Sequence, residues 1–74
     1  MTELQKKQLE QAITRLETKL DTYNRAAQRT KKQAINDGEC GYRESARFNK
    51  GQQFALEYVI DDLQIILNEL KEIQ

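Results

Sequence analysis

Few side chains in this sequence could take part in catalysis. The chain has 74 residues, among them one cysteine and no histidine. Without histidine, a hydrolytic triad or a proton shuttle near neutral pH lacks its usual member, and the common zinc ligand sets cannot be assembled. Cys40 lies between Glu39 and Gly41 with no histidine to act as its base, which favours an ordinary thiol over a nucleophile. We therefore expect a protein that is not an enzyme and that holds neither a metal nor a cofactor.

Three acidic residues in the second half of the chain are close enough in sequence to approach a hard cation. Glu57 and Asp61 are four residues apart, which places them on one face of a helix, and Asp62 follows directly. No calcium-loop pattern surrounds them, so solvated or ion-paired carboxylates are the preferred interpretation. Asp62 lies among apolar positions, where a charge can set the register of packed helices.

The most distinctive charged pattern is a pair of basic triplets with i, i+4, i+7 spacing, which puts the three cations of each on one helix face. The triplets are Arg25, Arg29 and Lys32, and Arg43, Arg47 and Lys50. The net charge is zero, but residues 25–50 hold seven basic against three acidic residues (+4), and residues 51–74 hold one basic against five acidic residues (−4). We predict that the six cations of the triplets form the surface that binds a partner or an anion.

Several uses of this basic region stay open. An antiparallel dimer would lay it beside the acidic region of the second chain and needs no ligand, and this interpretation is preferred. The same cations could bind an acidic protein surface, or the phosphates of nucleic acid or of a nucleotide, with nearby aromatic residues stacking on bases. The zero net charge counts against nucleic acid. A solvated basic face is the remaining alternative.

Apolar periodicity predicts two long helices. In the first half of the chain, apolar or small residues recur at alternating steps of four and three, as in a heptad seam. These positions are Leu9, Ile13, Leu16, Leu20, Tyr23, Ala27, Thr30 and Ala34. Thr2 and Gln5 have the spacing of a capping box, so the first helix is predicted over residues 3–35, followed by a loop over residues 36–41 that begins with Asn36-Asp37-Gly38.

The second helix is predicted over residues 42–73 and carries a similar seam. Its positions are Leu56, Val59, Leu63, Ile66, Leu70 and Ile73. A short loop makes the two helices antiparallel neighbours, and a loop centre near Glu39 places Ala26 and Ala27 opposite Gly51 and Gln52. We predict an all-α fold: a single domain, residues 1–74, built as a coiled-coil-like helical hairpin.

The second helix has more apolar surface than the first can cover. Ile65, Ile66 and Leu67 follow one another and span about 200° of the helix circumference. A homodimer packed as a four-helix bundle would cover the excess and is favoured over a foreign protein on this surface. The predicted oligomer interface comprises Leu56, Val59, Ile60, Leu63, Ile66, Leu67 and Leu70.

The sequence contains no apolar stretch of the length that a membrane span requires. Its longest apolar runs are three residues, as in Tyr58-Val59-Ile60, whereas a spanning helix needs about twenty. The first twenty residues are rich in charge, unlike a signal peptide. We expect a cytoplasmic protein with a reduced thiol and no membrane partner.

The segment Tyr42–Leu63 resembles the second helix of small helical-hairpin accessory proteins of Gram-positive phages and mobile elements. The resemblance rests on a glycine followed by Ala-Leu-Glu-Tyr-Val, here Gly51 and residues 55–59, and covers about a third of the chain. It implies a small inhibitor or adaptor that blocks or redirects a host or defence protein in the host cytoplasm. It assigns no functional residue.

Overall fold

Two long helices make up nearly the whole chain. The structure is a computed structural model that describes residues 1–74, with α1 at Glu3–Glu39 and α2 at Arg43–Ile73. The helices pack side by side into a rod of 58 × 15 × 12 Å. The prediction of an all-α helical hairpin is confirmed. Neither helix contains a segment long and apolar enough to cross a membrane.

The start of α1 is fixed by the predicted capping box. The hydroxyl of Thr2 accepts a hydrogen bond of 3.1 Å from the main-chain N–H of Gln5. The Gln5 side chain accepts one of 2.9 Å from the N–H of Thr2 in return. Two N–H groups that would otherwise lack partners are thereby satisfied at the helix end.

The end of α1 lies four residues beyond its predicted position. Gly38 remains helical, and the connection is only Cys40–Tyr42, not residues 36–41. Gly41 has a φ of +81°, the left-handed conformation that glycine adopts without steric cost. The N–H of Gly41 donates to the carbonyl of Gly38 at 3.2 Å, and the N–H of Tyr42 donates to that of Asp37 at 2.8 Å. This pair of bonds is the Schellman motif, so Gly41, not Gly38, terminates α1.

The predicted seam of α1 is confirmed along its whole length. All eight positions are buried or half-buried, with Ile13, Leu20 and Ala27 buried. Ile13 and Leu20 form the centre of the core with Leu67 of α2. The seam continues one step past Ala34 to Asp37, which is also buried and keeps the chain helical at that point.

The seam of α2 differs from the prediction. Val59, Ile66 and Ile73 are 41%, 45% and 60% exposed, so their assignment to the seam is wrong. Positions 59 and 60 are both apolar, and so are positions 66 and 67. The sequence pattern is therefore compatible with two neighbouring seams, one through the first residue of each pair and one through the second. The second member of each pair continues in phase with the half-buried positions near the loop, and it is this set that faces α1. The positions are Ala46, Asn49, Gln53, Leu56, Ile60, Leu63, Leu67 and Leu70.

This alignment places most of the predicted oligomer interface between the two helices of the hairpin. Five of its seven residues belong to the seam that covers α1, and Leu67, only 3% exposed, has almost no surface left for another chain. Val59 and Ile66 alone remain on the outside of the hairpin. Ala27 lies beside Glu57 and Ile60 in a shallow surface cavity, not opposite Gly51. A Cβ atom added at Gly51 would meet nothing within 4 Å, so this glycine is not needed for close helix packing.

Candidate binding surface at the loop end

A groove opens on one side of the hairpin next to the loop. It has a volume of about 560 Å³ and lies between the last third of α1 and the first third of α2. We call it the loop-end groove. Its lining residues are Lys31, Ala34, Ile35, Gly38, Arg43, Ala46, Arg47, Lys50, Gln53 and Phe54.

Four cations line the loop-end groove, and no carboxylate does. Lys31 comes from α1, while Arg43, Arg47 and Lys50 come from α2. The hairpin has two ion pairs, Lys6 with Glu3 and Arg25 with Asp21, and neither involves a cation of the groove. The positive charge of the groove is therefore available to an external anion.

Apolar side chains accompany these cations. Ile35 and Phe54 are 55% and 51% exposed, and they line the groove from α1 and α2 respectively. Ala34, Gly38 and Ala46 add little bulk, which leaves room between the helices. The loop-end groove thus joins exposed apolar surface to a cluster of cations.

The structure separates the two basic triplets. Arg43, Arg47 and Lys50 meet in the loop-end groove as one set. The other triplet, Arg25, Arg29 and Lys32, lines a separate depression of about 480 Å³ together with Thr22 and Gln28, all of them polar residues. The six predicted cations are therefore two surfaces and not one.

The two surfaces also differ in whether their cations already have ion-pair partners within the hairpin. In the polar depression, Arg25 already pairs with Asp21 at 3.1 Å, although both side chains are well exposed and such a pair contributes little. The cation that sequence reasoning missed is Lys31, which belongs to the groove. Its signal was present, because Lys31 precedes Ile35 by four residues and so shares its helix face.

A buried carboxylate lies directly behind the loop-end groove. Asp37 is 4% exposed and accepts hydrogen bonds from the amide of Gln33 at 2.8 Å, the hydroxyl of Ser45 at 2.5 Å and the amide of Asn49 at 3.0 Å. The bonds from Ser45 and then Gln33 lower the pKa of Asp37, burial opposes them, and Asn49 adds a smaller lowering.

This cluster connects the two helices where the groove is built. Ser45 and Asn49 belong to the first two turns of α2, and Gln33 and Asp37 to the last two turns of α1. Gly38 and Ala46, the next residue after each of Asp37 and Ser45, line the groove. Asp37 was predicted to lie in the loop, but it belongs to α1. Its position three residues after Ala34 in the heptad pattern was the available signal.

The other chemical candidates are not gathered into sites. Cys40 is exposed in the connection between the helices. Glu57 accepts a hydrogen bond of 3.0 Å from Gln53, and Asp62 is exposed on α2. No three carboxylate or thiol groups converge on a point that could hold a metal ion.

Comparison with protein-family models, with curated proteins and with solved structures finds no match to this chain.

Proposed function

We propose that the chain is a non-enzymatic, self-associating protein-binding module that docks an acidic amphipathic segment of another protein in its loop-end groove. The observation that carries this proposal is the set of four cations without an ion-pair partner around Ile35 and Phe54. A segment with carboxylates beside apolar side chains satisfies both features at once. Charged contacts steer such a partner, and apolar contacts hold it.

The construction of the groove supports a binding role. Its side chains are carried by helices, and the Asp37 cluster fixes the spacing of those helices at the loop. A surface that is already formed loses little conformational entropy when a partner arrives. Its volume of about 560 Å³ fits several side chains of a docked segment.

The mode of action that fits this module is an inhibitor or an adaptor. Such a protein works by occupying a surface of its partner and needs no catalytic group. The resemblance of the segment Tyr42–Leu63 to accessory proteins of phages and mobile elements leads to the same proposal. We place the module in the host cytoplasm on that basis.

The alternative is binding of nucleic acid or of a phosphorylated small ligand. The observation in its favour is the polar depression, where Arg25, Arg29 and Lys32 adjoin hydroxyl and amide groups without apolar neighbours. Phosphate contacts use groups of this kind. The loop-end groove, with its exposed apolar side chains, suits a protein segment better.

The experiment compares two probes on the full chain. The first is a fluorescent helical peptide in which glutamates flank one apolar face, and the second is a fluorescent single-stranded oligonucleotide. Anisotropy is recorded at low and high salt for the wild type and for two matched double variants. Arg47→Glu with Lys50→Glu changes the groove, while Arg25→Glu with Lys32→Glu changes the polar depression by the same charge.

We expect the peptide to bind the wild type, to lose at least ten-fold in affinity on the groove variant, and to change little on the depression variant. Charge-assisted contacts of about 1.5–3 kcal/mol each account for a loss of this size. Oligonucleotide binding that weakens steeply with salt and fails on the depression variant would replace the proposal with the alternative. Absence of binding to either probe would reject the groove as a docking site.

A further inference from the structure

The isolated hairpin exposes more surface than a protein of its size usually does. Its solvent-accessible area is 5978 Å². For a monomer of 8.7 kDa, the usual scaling of area with mass gives about 4,700 Å². The surplus of about 1,200 Å² is comparable to the area that one partner contributes to a stable homodimer, about 800 Å² or more.

Part of this exposed area belongs to a second seam on α2. This seam lies one position before the seam that faces α1, and its alternating steps of four and three keep the heptad phase. Its members from Phe48 onward are Phe48, Gln52, Ala55, Val59, Asp62, Ile66, Glu69 and Ile73. Four of them are large apolar side chains that are 41% to 65% exposed.

We propose that a second copy of this chain covers the second seam in an antiparallel, two-fold symmetric dimer. The spacing of the seam reads the same from either end of the helix. Two copies can therefore pair in antiparallel orientation about a two-fold axis that passes between Ile60 and Asp61. In this register Phe48 faces the partner's Ile73, Ala55 faces the partner's Ile66, and Val59 faces the partner's Asp62. Each hairpin contributes two helices, which gives a four-helix bundle.

Charge disfavours the parallel orientation. In the antiparallel register residues 47–52, which include Arg47 and Lys50, lie beside residues 69–74 of the other copy, which include Glu69, Lys71 and Glu72. A parallel pair would instead place each residue beside its own counterpart and would set the two Asp62 carboxylates opposite each other. Like charges so placed oppose association.

The dimer rests on the self-association in the proposed function and gives it a specific interface, but it does not involve the loop-end groove. The second seam flanks the core seam of α2 on one side, whereas Lys50 and Phe54 of the groove flank it on the other. The loop-end grooves therefore stay open and lie at opposite ends of the bundle. Two identical docking sites on one particle would strengthen binding to a multivalent partner.

The first test uses three consecutive apolar residues that occupy three different environments. Ile65 is 57% exposed away from both seams, Ile66 is in the second seam, and Leu67 is in the core. Sedimentation equilibrium on the full chain should give twice the 8.7 kDa chain mass for the wild type and for Ile65→Asp. Ile66→Asp should give the single-chain mass, and Leu67→Asp should lose helix content by circular dichroism. A single-chain mass for the wild type at all concentrations would overturn the proposal, as would dissociation by Ile65→Asp but not by Ile66→Asp.

A second test does not require a charged variant to fold. In a Cys40→Ser background, chains with Ala55→Cys are mixed with chains with Ile66→Cys and oxidised. The antiparallel register predicts a disulfide only in the mixture, and no disulfide when Ile65→Cys replaces Ile66→Cys. Self-crosslinking of Ala55→Cys would indicate a parallel pair and would overturn the antiparallel register. Peptide binding to the loop-end groove is measured separately, so failure of the dimer and failure of docking in the groove can be told apart.

Discussion

The carboxylate of Asp37, in the last turn of α1, accepts a hydrogen bond of 2.5 Å from the hydroxyl of Ser45, in the first turn of α2. The same residue uses its main-chain carbonyl to accept the N–H of Tyr42 at 2.8 Å. The main chain of Asp37 therefore helps to cap the end of α1, and its side chain binds the first turn of α2. The loop-end groove depends on this connection, because Gly38 and Ala46 line it on either side.

Replacing Asp37 with asparagine should lower the melting temperature at neutral pH. An amide offers one acceptor oxygen where the carboxylate offers two, so the donors Gln33, Ser45 and Asn49 can no longer all be satisfied. Thermal unfolding followed by circular dichroism measures the change. Asp62→Asn is the matched control, because Asp62 is exposed. Equal melting temperatures for the two variants would show that the cluster does not stabilise the hairpin.

The contribution of Asp37 should also depend on pH. Its hydrogen bonds from Ser45, Gln33 and Asn49 lower its pKa in the folded state relative to the unfolded state. The unfolded chain therefore takes up a proton first as the pH falls. The stabilisation is complete above the ordinary aspartate pKa of about 3.9 and is lost as the pH falls through the lower folded-state pKa. The difference in melting temperature between wild type and Asp37→Asn should be constant between about pH 5 and about pH 7, because this range lies above the ordinary aspartate pKa. It should shrink in more acidic buffer. A difference that grows on acidification would contradict the assignment.

Two glycines should respond to alanine in opposite directions. Gly51 is in the interior of α2 with open space around it, so Gly51→Ala should raise the free energy of unfolding by about 0.5–1 kcal/mol through helix propensity. Gly41 has a φ of +81°, so Gly41→Ala should lower it by about 1–2 kcal/mol. Urea unfolding at a fixed chain concentration gives both values. Destabilisation by Gly51→Ala would indicate that another chain packs closely against α2 at this point.

The sequence was sufficient to predict the hairpin and the α1 seam, because a single heptad pattern runs from Leu9 to Ala34 without competition. It was not sufficient for α2, where Val59 and Ile60, and again Ile66 and Leu67, supply apolar side chains to two adjacent seams. The choice between them depends on polar residues near the loop, Asn49 above all, which pair with Asp37. The position of the turn was missed for a related reason. Asn36-Asp37-Gly38 is typical of a helix end in isolation, but burial of the Asp37 side chain against Ser45 and Asn49 keeps these residues helical.

The loop-end groove leads to a last prediction on two adjacent lysines. Lys31 lines the groove, whereas Lys32 lines the polar depression on another face of α1. Lys31→Glu should weaken binding of the acidic amphipathic peptide by about ten-fold, because it removes one charge-assisted contact and adds a repulsive one. Lys32→Glu carries the same change in net charge and should have a small effect that disappears at high salt. Fluorescence anisotropy at two salt concentrations measures both. If the two variants lost affinity equally, the peptide would be responding to net charge alone, and the groove would not be its binding site.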